Sequence, residues 1–134
     1  MDFVVNADLR RLFEENHLNL DELQRLTAEV QRWGVKLDTE TVGFVITRKM
    51  NNLMAGFVAH PHDIGRLRYI SDIFRLLKPL PLQLNTWMVQ NLYFYIGREL
   101  FADMQAAIPH NEVNAQRWVK HFTELGEELE VKIA

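Results

Sequence analysis

Two histidines and an aspartate surround a proline at His60-Pro61-His62-Asp63, the densest group of chemistry-bearing side chains in the chain. Two imidazoles and a carboxylate form a workable ligand set for zinc. The spacing argues against it. A helix brings residues three and four apart onto one face, so histidines two apart diverge, and a His-x-His pair suits a strand. No strand pattern surrounds these residues. The same letters make a good helix start. His60 precedes the helix, Pro61 takes its first position, where a missing amide proton is no loss, and Asp63 takes the third, facing the positive end of the helix dipole. The stretch is read as a helix start, and neither a metal nor a cofactor is expected.

Other candidates are weaker. The only serine, Ser71, has no Gly-x-Ser-x-Gly setting, and none of His17, His110 or His121 stands beside an obvious nucleophile. The paired acids Glu14/Glu15 and Glu127/Glu128 are adjacent in sequence, splay around their helices and read as solvated. Glu99 lies one turn from Tyr95 and beside Arg98, which reads as a surface contact. As a catalytic acid it would need a partner that cannot be identified. In "NTWMVQNLYFYIGREL", Trp87, Tyr93 and Tyr95 could stack on sugar rings or bases, but rings at helical spacing are usually core. Gln90 and Asn91 are harder to dismiss, because amides in so apolar a helix must satisfy their hydrogen bonds when buried. They are expected to tie the helix to the "PLPLQL" backbone or to a neighbouring domain.

The chain has 134 residues, 48% hydrophobic and 25% charged, with no cysteine and a net charge of −3. Disulfides, thiolate catalysis and cysteine-ligated zinc are excluded. No apolar run approaches the roughly 18–20 residues needed to cross a bilayer, and the start lacks the pattern of a signal peptide. No membrane association is expected, and the setting reads as cytoplasmic. Charge is uneven: residues 41–79 hold two acids against six bases, between flanks that are both acidic. Arg48, Lys49, Arg66, Arg68 and Arg75 could bind phosphates. With only Tyr69 interleaved they fall short of a nucleic-acid footprint, and a solvated or acid-paired face is the expectation.

The elements that must position these residues are helices throughout. Asn6 can cap a short first helix to about Asn16. Asn19 with Glu22 has capping-box spacing, and Leu23, Leu26, Val30 and Trp33 follow as a stripe that Gly34 stops. Asp38 or Thr39 can cap a third helix to about Ala59, with Val42, Val45, Ile46, Met50, Leu53, Met54 and Phe57 apolar. A fourth runs from about Pro61 to Lys78, ended by Pro79 and Pro81. Asn85 or Thr86 opens the longest and most apolar helix, about 86–107, which its wide apolar arc marks as central. Asn111 caps a last helix carrying Trp118, Phe122, Leu125 and Leu129 inward, and the tail "LEVKIA" could be extended. The fold class is all-α, one bundle of about six helices over residues 1–134.

The linker with "LQLNTWMVQNLYFYI" and the closing "WVKHFTELGEELEVKI" resemble the C-terminal helical domain, of uncharacterised role, attached to some proteins of the glycoside hydrolase family 57 type. The matching residues are Leu84, Trp87, Gln90, Asn91 and Tyr93, then Phe122, Leu125, Gly126 and Leu129, across the last third to half of the chain. In such proteins the catalytic carboxylates lie in an N-terminal barrel domain, so no catalytic residue carries over. The resemblance implies a piece cut from a larger protein of carbohydrate metabolism, non-catalytic itself, that packs against or shapes the cleft of the catalytic domain. Its possible interaction surface comprises Trp87, Gln90, Asn91, Arg48, Lys49, Arg66, Arg68 and Arg75. The alternatives are a standalone helical adaptor that binds protein partners or oligomerises, and a nucleic-acid-binding bundle.

Overall fold

Helix punctuation decides much of the architecture. The computed structural model describes residues 1–110 and 113–130. Its helices are α1 (Asp2–Glu14), α2 (Leu20–Trp33), α3 (Thr39–Ala59), α4 (Ile64–Leu77), α5 (Trp87–Ile96), α6 (Ala102–Ala107) and α7 (Val113–Glu128). A π-helical turn, Gly97–Phe101, joins α5 to α6, so the seven segments form six rods. There is no strand among the described residues, and the fold is all-α. The expected cap at Asn111 and most of the expected extended tail lie outside the described residues.

Asn19 caps α2 as its type predicts, its Oδ1 accepting from the amides of Asp21 and Glu22 at 2.9 and 3.2 Å. The reciprocal half of the capping box is missing, because the Glu22 carboxylate bonds Arg25 instead. Gly34 ends α2 in the left-handed region at φ 60°, where a Cβ is disfavoured, and Val35 behind it is buried. Asp38 caps α3 through the Thr41 amide.

Two starts differ from expectation. Asn6 does not open α1, which begins at Asp2. From mid-helix its amide donates to the Asp2 and Lys36 carbonyls, while its Oδ1 accepts from the Asp38 amide at 2.7 Å. Asn6 therefore staples α1 to the α2–α3 connection, which local pattern cannot show. At α4, residues 60–63 form a turn closed by Asp63 N–H to His60 O, and Asp63 is the N-cap itself, bonding the Arg66 amide at 3.2 Å. Pro61 and Asp63 thus precede the helix. A carboxylate that caps in the Asx manner must sit outside the first turn.

The middle of the bundle is α3 and α4. Helix α3 borders α1, α4 and α5; α4 borders α2, α3 and α7. Apart from half-buried Leu53, α3 buries its expected apolar set, and Met50, Met54 and Phe57 share one core with Leu67, Ile70 and Phe74 of α4. The helix over 86–107 is therefore not central. Val89, Tyr93, Ile96 and Gly97 are buried, whereas Trp87, Met88, Phe94 and Tyr95 are exposed and α6 buries no residue fully. Beyond the π turn the rod packs mainly on α7, and its inward residues Leu100, Met104 and Ala107 are only half-buried. Trp33 is likewise exposed at the last turn of α2, under the Arg32 guanidinium at 5.0 Å.

Polar anchors lock the rods. Three rings stack through the α5–α7 contact: Trp118 on Phe122 at 4.6 Å and Phe122 on Tyr93 at 4.2 Å between centroids. Trp118 Nε1 donates to Pro61 O at 2.7 Å, joining the start of α7 to the α3–α4 turn. The Tyr69 hydroxyl donates to Leu18 O at 2.5 Å, with His17 stacked on its ring.

Candidate functional site

The histidine-proline group ends as architecture. His60 donates its amide to Gly56 O and Phe57 O, Pro61 O receives Trp118, and Asp63 caps α4 and bonds Arg66 Nε at 3.2 Å. Among the described residues no three His, Cys, Asp or Glu side chains are grouped as a metal site.

The basic island divides into separate local jobs. Arg66 pairs with Asp63, Arg68 lies 4.0 Å from Asp72, and Arg75 bonds Asp72 at 2.8 Å, all along α4. Lys49 Nζ donates to the Glu15 and Asn16 carbonyls at 2.7 and 3.1 Å, satisfying orphan acceptors at the end of α1. Arg48 lies over the Phe44 ring at 5.6 Å. Each of the five side chains thus has a local partner of its own.

Along α5 the candidate residues separate by depth. Tyr93 is buried, and its hydroxyl donates to Phe122 O at 2.9 Å. Burial, aided by the Glu127 charge, pushes the phenol up to about 12, so it is a core anchor and no stacking platform. Gln90 donates Nε2 to Leu129 O at 3.0 Å, tying α5 to the end of α7 rather than to the linker backbone. Asn91 is exposed, and so are Glu99 and Tyr95, with no hydrogen bond between the last two among the described residues. Trp87 stands out, 71% exposed, with its amide held by Asn85 Oδ1 at 3.1 Å.

Two surfaces emerge that spacing could not show. The first gathers large apolar side chains at one end of the bundle. The Asn6 staple brings the start of α1 to the α2–α3 connection, and the linker residues Pro81, Gln83 and Asn85 lie along Thr39–Thr47 of α3 around a shallow hollow of about 760 Å³. Phe3 and Trp33 belong to the helix ends joined at that connection, Phe44 lines the hollow and Trp87 follows two residues after Asn85; they are 80%, 57%, 65% and 71% exposed. These four rings are the large aromatic side chains left most open to solvent, and they make this end the candidate docking surface. The signal was present in the sequence as apolar residues outside the core stripes, Phe3 and Phe44 among them.

The second surface is a groove of about 210 Å³ where the ends of α4 and α7 meet the linker. Phe74, Leu77, Leu80, Leu82, Leu84 and Leu129 form its walls, with Lys78, Thr86, Gln90, Glu128 and Glu130 around them. Glu128 is not the solvated residue its position suggested. Its side chain is 18% exposed, and its Oε2 is shielded from water without a hydrogen bond, the Lys78 ammonium lying at 3.7 Å. That separation makes an ion pair but is too long for a hydrogen bond.

No helix among the described residues is long and apolar enough to cross a membrane. Comparison with known proteins supplies no relative to set beside this geometry: no protein-family model, no curated protein and no solved structure matches the chain.

Proposed function

We propose that the chain is a non-catalytic helical accessory domain of a carbohydrate-active, glycoside hydrolase-like enzyme, packing against its catalytic domain. The observation that carries the packing role is the aromatic end of the bundle, where Phe3, Trp33, Phe44 and Trp87 stand in water. Burying one such ring is worth on the order of 2 kcal/mol, so a partner covering several gains an interface core. The enzyme class rests on the resemblance carried by Leu84, Trp87, Gln90, Asn91 and Tyr93 and by Phe122, Leu125, Gly126 and Leu129. A second reading, a standalone adaptor that pairs with itself or with another protein, draws on the same aromatic end. A nucleic-acid role has less behind it, because Arg66, Arg68 and Arg75 are engaged by acids of their own helix.

The test begins with the reading frame upstream of Met1, where a barrel-coding region is expected in frame. The upstream domain, produced separately, should bind the purified chain in calorimetry. The triple variant F3S/F44S/W87S should lose at least tenfold in affinity while keeping its thermal melt. A tight, concentration-independent dimer in light scattering with no upstream domain would favour the adaptor. Turnover of an α-glucan by the purified chain would defeat the non-catalytic reading.

A further inference from the structure

We infer that the leucine-lined groove at the ends of α4 and α7 receives one arginine side chain of a partner polypeptide, its stem along the leucines and its guanidinium on Glu128. This rests on the docking reading above but uses a different surface. Three observations converge on a cation.

The first is the direction of the helices. Trp118 near the start of α7 bonds Pro61 just before α4, and Lys78 after α4 faces Glu128 at the end of α7. The two helices therefore run parallel, and both negative dipole ends open onto the groove, each worth about half a charge. The start of α5, through Thr86, opposes them with one positive end. The second observation is the Glu128 carboxylate, mostly buried, with an oxygen that no donor among the described residues reaches within hydrogen-bond distance. Lys78 does not supply that bond, and its side chain, 63% exposed, is free to move aside. Third, Gln90 lines the groove with its amide nitrogen committed to Leu129 O, so among the described residues its oxygen has an open acceptor position.

Chemistry chooses the occupant. The groove is open on one side, and a long side chain can lie along its leucines with its head at Glu128. An ammonium is already present as Lys78 and leaves the carboxylate without a hydrogen bond, whereas a planar guanidinium offers a fork that matches a carboxylate and reaches a second acceptor.

The probe is the capped tripeptide acetyl-Ala-Arg-Ala-amide, with its citrulline counterpart as neutral isostere, titrated into the full chain and followed by ¹H–¹⁵N spectra. The arginine peptide should shift the Gln90 side-chain amide and the Lys78 and Leu129 backbone amides saturably, and the citrulline peptide should not. E128Q should weaken binding at least tenfold with its melt unchanged. K78M, which removes the competing cation, should strengthen it severalfold. Equal shifts with both peptides, shifts scattered over the surface acids, or indifference to both substitutions would overturn the proposal. So would binding of N-butylguanidinium without the arginine peptide, which would assign the groove to a free small cation. If K132A, without peptide, shifted the same Gln90, Lys78 and Leu129 signals, Lys132 of the chain itself would be the occupant and the proposal would fall. Loss of upstream-domain binding only in F3S/F44S/W87S would leave the docking reading intact whatever the peptides do.

Discussion

Replacing Tyr93 by Phe tests whether the α5–α7 contact is held by a buried hydrogen bond or by ring stacking alone. The substitution keeps the ring, stacked at 4.2 Å on Phe122, and removes the hydroxyl that donates to Phe122 O at 2.9 Å. Near neutral pH the loss should be about 1 kcal/mol, lowering Tm by roughly 3–5 °C for a domain of this size. Alkali should reverse the order. The folded phenol titrates at about 12, raised chiefly by burial, against about 10 when unfolded. A raised folded value gives stability that is fully present below about pH 10 and is lost as pH climbs through about 12. Linkage makes the loss about 1.4 kcal/mol at pH 11 and about 2.3 kcal/mol at pH 12, so the two proteins should cross near pH 11. Above that, Y93F is the more stable. Urea melts followed by circular dichroism at pH 7, 10, 11 and 12 provide the curve. Parallel pH dependences, or a Y93F melt unchanged at pH 7, would refute the hydrogen-bonded buried phenol.

Two further expectations concern the ends of the rods. Asn19→Ala should cost about 1 kcal/mol by orphaning the Asp21 and Glu22 amides, and Asn19→Asp should restore most of it, as measured by urea melts. Trp118→Phe should cost about 1–3 kcal/mol through the lost Nε1 bond to Pro61 O; amide exchange should show the α3–α4 turn opening faster while α2 is unaffected.

The reading of the candidate sites succeeded where the physics was local and failed where it was not. Asp63 was recognisable as part of a helix start because a carboxylate near exposed amides needs no distant partner, although its place in the cap was off by a few residues. Gln90 was recognisable as an amide needing a partner, but that partner, Leu129 O, lies 39 residues away and no spacing points to it. Asn6 looked like a cap for the same reason that it makes a good staple: its short amide bonds backbone on both sides. Glu128 looked solvated because adjacent acids near a helix end splay around it. It became mostly buried only when α4, α7 and the linker met around it.

The sequence by itself determined the helical class, most of the helix ends and the core stripes of α3 and α7. Apolar periodicity, Asn19, Gly34, Asp38 and the prolines act within a turn or two of where they stand. Only the tertiary structure decided which rod is central, because a wide apolar arc states that a helix seeks cover and not whether its neighbours supply it. Helix α5 finds α3 and α7 and leaves Trp87, Met88 and Tyr95 in water. The parallel course of α4 and α7, which turns two dipole ends toward one groove, likewise depends on how distant segments cross, and local pattern carries no record of that.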